Sequence, residues 1–138
     1  MNAVFADTFY YLALVNRDDA VHSRAIAFAR DLHVPVLTTA WVITEVADAL
    51  ASSRQRGSFL ALLAGIETDP AVTILDPDKA LYEAGLALYA RRPDKDWSLT
   101  DCISFVAMKQ WRLTDALTAD HHFQQAGYRA LLLEDREA

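Results

Sequence analysis

An α/β fold built on a parallel sheet is predicted by three features: short apolar runs that alternate with helix-spaced stretches, strands apolar throughout rather than at every second residue, and a length suited to one core. Strands that are apolar on both faces need cover on both faces, and helices between parallel strands supply it. The predicted strands are Ala3–Ala6, Val34–Thr38, Val72–Leu75, Ala116–Ala119 and Ala130–Leu133.

Helices are expected in the gaps, beginning near Thr8, Asp19, Thr39, Pro77, Leu99 and His121, with a shorter one from Ser58 to Glu67. In the third of these, Ile43, Val46, Ala47 and Leu50 recur at i, i+3, i+4 and i+7 and form one apolar stripe. Pro77 suits a first helical turn, and Gly127 suits the C-cap of the last helix.

The chain has 138 residues, 53% of them hydrophobic, which fits one domain over residues 1–138. The four glycines and four prolines are scattered, and there is no internal repeat. The apolar stretch from Met1 to Val15 lacks a basic leader and contains Asp7, which argues against a signal peptide, and no apolar run approaches the roughly 18 residues of a membrane span. Cys102 is the only cysteine, so no internal disulfide forms, and a reducing cytoplasm is the expected setting. Zinc is disfavoured: no Cys or His cluster has zinc spacing, and the adjacent His121 and His122 are expected to face different ways on a helix.

Nineteen acids against thirteen bases give a net charge of −6, which excludes a protein that holds nucleic acid through its overall charge. A nucleic-acid role survives only if carboxylates gather around divalent cations, which then present positive charge to phosphate. Arg54, Arg56, Arg91, Arg92 and Lys95 offer local basic groups, either as nucleic-acid contacts or as solvated surface.

In parallel α/β sheets the ligand site lies beyond the carboxyl ends of the strands. Asp7 follows the first strand and Asp120 the fourth, each just ahead of a helix. Singly, each reads as an N-cap. Asp101 closes Ser98-Leu99-Thr100-Asp101, a capping-box pattern, and Glu45 lies off the apolar stripe, as a solvated residue would. Together they read differently. Parallel strands bring Asp7, Asp101 and Asp120 toward one another, and like charges about 4 Å apart repel by about 4 kcal/mol at an effective dielectric of about 20, a cost that a cation offsets. Oxygen-only ligands select hard ions such as Mg²⁺.

Phe5-Ala6-Asp7-Thr8, Thr44-Glu45-Val46, Trp97-Ser98-Leu99-Thr100-Asp101-Cys102 and Leu117-Thr118-Ala119-Asp120-His121-His122-Phe123 resemble, in this order, the PIN domains, particularly VapC toxins. The resemblance covers nearly the whole chain. It implies a three-layer fold with a five-stranded parallel sheet between helices, and Asp7, Glu45 and Asp101 as metal-binding carboxylates with Asp120 as a fourth. Asp96 is a further candidate ligand, although Asp94-Lys95-Asp96 equally describes a solvated loop. Thr8, Ser98 and Thr100 either orient ligands or cap helices.

The activity implied is Mg²⁺- or Mn²⁺-dependent hydrolysis of RNA, leaving 5′-phosphate and 3′-hydroxyl ends. The partners implied are a small VapB-like antitoxin and a second copy of the chain. Alternatives are a stand-alone RNA-processing nuclease, a PIN scaffold that binds RNA or metal without cutting, and a receiver-like module. The receiver-like module is disfavoured because Ala6 and Thr8, not a second acid, flank Asp7, and a haloacid-dehalogenase phosphatase is disfavoured because Phe9 stands where it needs a second aspartate.

Overall fold

Five short strands lie side by side in the order β3-β2-β1-β4-β5, all parallel. They are β1 (Val4–Ala6), β2 (Val36–Thr39), β3 (Val72–Leu75), β4 (Asp115–Leu117) and β5 (Arg129–Ala130) in a structure, a computed structural model, that describes residues 2–134. Val4, Phe5 and Ala6 are all fully buried. Successive strand residues point to opposite faces, so the central strand is covered on both, as the sequence predicts.

The helices are α1 (Thr8–Val15), α2 (His22–Asp31), α3 (Ala40–Ala49), α4 (Arg56–Thr68), α5 (Lys79–Arg91), α6 (Leu99–Gln110) and α7 (His121–Gln125). Local chemistry sets several of their ends. Thr39 caps α3 by accepting from the Val42 amide at 3.1 Å. Gly127, at φ +95, ends α7 in a Schellman turn in which the amides of Gly127 and Tyr128 bond back to the carbonyls of Gln124 and Phe123.

Four local expectations need correction. Asp19 does not open α2; its carboxylate accepts from the Val21 amide and shapes the turn ahead of the helix. Pro77 lies outside α5, because Asp78 takes the cap position and accepts from the Ala80 and Leu81 amides. The helix expected to be short, α4, runs for 13 residues. Leu131–Leu133 coil into a 3₁₀ turn instead of continuing β5. The neighbouring β4 ends at Leu117, so the Leu132 amide finds no strand beyond it and bonds to the Thr118 carbonyl.

The strand order reverses between β1 and β4, which places the carboxyl ends of these two strands at the switch point of the sheet. An aromatic chain braces that edge: Trp97 meets Phe105 edge-on at 5.0 Å, and Phe105 meets Phe123 edge-on at 4.9 Å. It fixes α6 and α7, which carry two of the candidate acids.

Candidate active site

Asp7, Glu45, Asp96, Ser98, Asp101 and Asp120 line one cavity of about 430 Å³, with Phe9, His121 and His122 at its wall. Acids drawn from the end of β1, from α3, from α6 and from the start of α7 thus meet at the switch point.

Asp7 occupies the N-cap position of α1, yet its side chain makes no capping bond. Its Oδ2 accepts instead from the Thr118 hydroxyl at 2.8 Å, and its own amide bonds to the Leu117 carbonyl. The residue is only 2% exposed. Burial pushes its pKa up to about 7; the Thr118 bond and the Thr8 amide oppose the rise, while the charges of Asp101 and Glu45 add to it.

Asp101 does form the capping box: its amide donates to Ser98 Oγ, and its Oδ2 accepts from the Ser98 amide, both at 3.0 Å. His122 Nδ1 lies 3.2 Å from the same Oδ2. Burial raises the Asp101 pKa, with Asp120 adding to the rise and the Ser98 amide and His122 opposing it. Asp120 also caps, its Oδ1 accepting from the His122 amide at 2.9 Å. Capping and clustering are therefore compatible at both positions, and one oxygen of each carboxylate is turned to local structure.

Glu45 is half-buried at the cavity wall, not the fully solvated residue its helical phase suggests. The residues buried along α3 and its C-cap are Val42, Val46 and Leu50, so the buried face is turned from Ile43 and Ala47 toward Val42, and Glu45 reaches the cavity wall. Asp96 is exposed, as a solvated loop requires, and still lines the cavity.

Among the described residues no Lys or Arg pairs with Asp7, Glu45, Asp96, Asp101 or Asp120; the only ion-pair partners are His121 and His122. The two imidazoles do not diverge as expected. Their ring centres are 4.5 Å apart, and Nδ1 of each lies within 4 Å of Asp120 Oδ1, because Asp120 turns back to cap the helix that carries them. Donor atoms of Asp120, His121 and His122 all fall within 4.8 Å of one another.

The sequence reading missed Thr118 and His122. A hydroxyl at the end of an otherwise apolar strand, two residues before Asp120, is the signal for the first. Nothing local signals the second, since its approach to Asp101 spans 21 residues of sequence.

No helix of the described residues is long and apolar enough to cross a membrane. The family model of the PIN domain matches residues 4–127. Among solved structures, the chain is similar to VapC20 of Mycobacterium tuberculosis, a sarcin-ricin loop cleaving toxin, at 25% identity and a TM-score of 0.82, over 91% of this chain and 95% of that one. It also shares its fold with FitAcB of Neisseria gonorrhoeae, at 21% identity and TM-score 0.64, over 92% and 94% of the two chains. VapBC2 of Rickettsia felis, solved with a DNA fragment from its promoter, matches at 10% identity and TM-score 0.65, over 93% and 96%. No curated protein matches the sequence. With strand order, switch-point acids and family model in agreement, the chain belongs to the PIN-domain family.

Proposed function

We propose that this protein is a divalent-metal-dependent endoribonuclease and the toxin of a toxin–antitoxin pair. The observation that carries the reading is Asp7: a carboxylate buried to 2% exposure, without a basic partner, beside Asp101 and Glu45. Such a group is only partly ionised at neutral pH by itself, and a cation beside it makes the charged form the stable one. The donor set fits a hard ion, since carboxylate oxygens dominate it.

Asp7, Glu45, Asp101 and Asp120 would hold Mg²⁺ or Mn²⁺, with Asp96 as a further acid at the rim. A bound ion supplies charge neutralisation at the phosphate and a lowered pKa for water. The remaining groups position the acids. Thr118 fixes one oxygen of Asp7, and the Ser98 amide and His122 fix one oxygen of Asp101. Cys102 is buried and its thiol pKa is raised, chiefly by burial, so it remains protonated and offers no nucleophile. Metal-assisted hydrolysis by water needs no protein nucleophile and is the chemistry this reading assigns to the site.

RNA as the substrate is supported by the similarity to VapC20, and a small VapB-like antitoxin by the similarity to VapBC2. A homodimer and a cytoplasmic setting complete the proposal. The decisive test incubates purified protein with mixed RNAs in Mn²⁺ or EDTA. Cleavage in Mn²⁺ that disappears in EDTA and in Asp7→Asn supports the reading; no metal-dependent cleavage overturns it and leaves a non-catalytic PIN scaffold.

A further inference from the structure

Four of the thirteen basic side chains, Arg91, Arg92, Lys95 and Lys109, gather around the end of α5, the loop after it and the last turn of α6. They wall two adjoining cavities, of about 230 and 440 Å³, which share Arg92 and Trp97. The larger also shares Asp96 with the acidic cavity, so the three cavities adjoin in a row, a segmented trough that runs from the candidate active site past Lys95 and Arg92 to Arg91 and Lys109.

In a chain of net charge −6, these cations offer a polyanion a local foothold, although Asp94 and Asp96 lie in the same loop. No carboxylate lines the smaller cavity, whose apolar wall includes Phe105 and Tyr128. Among the described residues Arg91, Lys95 and Lys109 make no salt bridge. Arg92 differs: Asp94 holds its guanidinium through two 3.0 Å bonds, and the group lies 5.2 Å from the centre of the Trp97 ring. Trp97 is in turn buried and donates from Nε1 to Gln125 at 3.0 Å. The guanidinium plane is thereby fixed, with 41% of the side chain exposed. A fixed guanidinium plane is a stacking platform for an unpaired base, and unpaired cations beside it suit phosphates.

We propose that this trough is a second subsite for the substrate strand, in which Arg91, Lys95 and Lys109 hold phosphates of single-stranded RNA flanking the cleaved bond and Arg92 stacks on one of its bases. The subsite rests on the reading of the protein as a ribonuclease. It gives an acidic protein a defined path along which to grip a polyanion, separate from the pocket that would cut it.

The test measures binding without cleavage. The full chain in EDTA is titrated against a fluorescein-labelled single-stranded RNA of about 15 nucleotides, followed by anisotropy. Arg91→Ala/Lys109→Ala is expected to weaken binding roughly 10- to 30-fold at about 0.1 M salt and to reduce the slope of log K against log salt by about 1.4, the signature of two lost phosphate contacts. Arg30→Ala/Lys79→Ala removes the same charge from exposed pairs elsewhere and is expected to change binding by less than about twofold. Equal effects of the two double variants, or no effect of either, overturn the subsite. Tighter trough-dependent binding of a polyglutamate peptide than of RNA also overturns it, in favour of an acidic protein segment. Cleavage of the same RNA in Mn²⁺ separates the two readings. Trough-dependent binding without cleavage by the wild-type chain defeats the nuclease alone, whereas cleavage with KM unchanged in Arg91→Ala/Lys109→Ala defeats the subsite alone.

Discussion

The hydroxyl of Thr118 donates to Oδ2 of Asp7 at 2.8 Å, across 111 residues of sequence, and accepts from the Asp120 amide at 3.0 Å. One side chain at the end of β4 thus ties the acid that follows β1 to the segment carrying Asp120. Thr118→Val keeps the shape and removes both bonds. The variant is expected to lose about 1–3 kcal/mol of stability. It also removes a bond that lowers the Asp7 pKa, so that pKa rises further above about 7. In a pH–rate profile the acid limb moves to higher pH, and Thr118→Ser restores it. An unchanged profile in Thr118→Val assigns the hydroxyl a purely structural role.

Asp7 is expected to make the metal-free protein less stable as pH rises. Its folded pKa, about 7, stands above the ordinary value of an aspartate, about 4, so the native state holds the proton more tightly than the unfolded chain. The resulting stabilisation is complete below about pH 4 and is lost as pH climbs through about 7, an effect of at most about 4 kcal/mol. Asp7→Asn carries no such proton. In EDTA its stability from urea melts is expected to vary less with pH than that of the wild type and to exceed it at pH 8. A variant that is less stable than the wild type at pH 8 shows that Asp7 is not a strained carboxylate.

Asp101 combines a cap and a candidate ligand, and Asp101→Asn separates the two. The amide oxygen of asparagine still accepts from the Ser98 amide, so metal-free stability is expected to stay within about 1 kcal/mol of the wild type. In thermal melts with Mn²⁺ at about a hundred times its Kd, the wild type is expected to gain about 2.7 kcal/mol, and Asp101→Asn to gain little. Addition of EDTA reverses the gain. Equal stabilisation of both proteins removes Asp101 from the ligand set.

Gly85 tests the packing that holds Asp101 in place. A Cβ at this position of α5 meets the Ile103 side chain and lies 3.1 and 3.2 Å from the Ile103 Cα and amide nitrogen on α6. A side chain can rotate away; a helical backbone cannot. Gly85→Ala is therefore expected to cost about 1–3 kcal/mol despite the better helix propensity of alanine. Gly65, inside α4, has nothing within 4 Å of the same atom, so Gly65→Ala is expected to stabilise by about 0.5–1 kcal/mol. Chemical denaturation of the two variants should give opposite signs.

Local chemistry is what the amino-acid sequence determined on its own. Continuous apolar runs set the parallel sheet, because only strands covered on both faces are apolar throughout. Ser98 and Asp101 set their capping box within one helical turn, and Gly127 sets its turn through a positive φ that side chains disfavour. Asp7 and Asp120 were legible as acids at the strand ends, since parallel strands aim their carboxyl ends at one edge.

Tertiary structure decided the rest, because the deciding contacts join residues remote in sequence. The phase of α3 is set by what Val42 and Val46 pack against, and a small rotation about the helix axis separates a solvated Glu45 from one at the cavity wall. The fifth strand stops at Ala130 because its neighbour ends, a limit invisible in the apolar run that follows. His122 reaches Asp101, and Thr118 reaches Asp7, only once α7 and β4 are docked. Hydrophobic patterning fixes which face of an element is buried, whereas the partner of each polar group depends on how the elements meet.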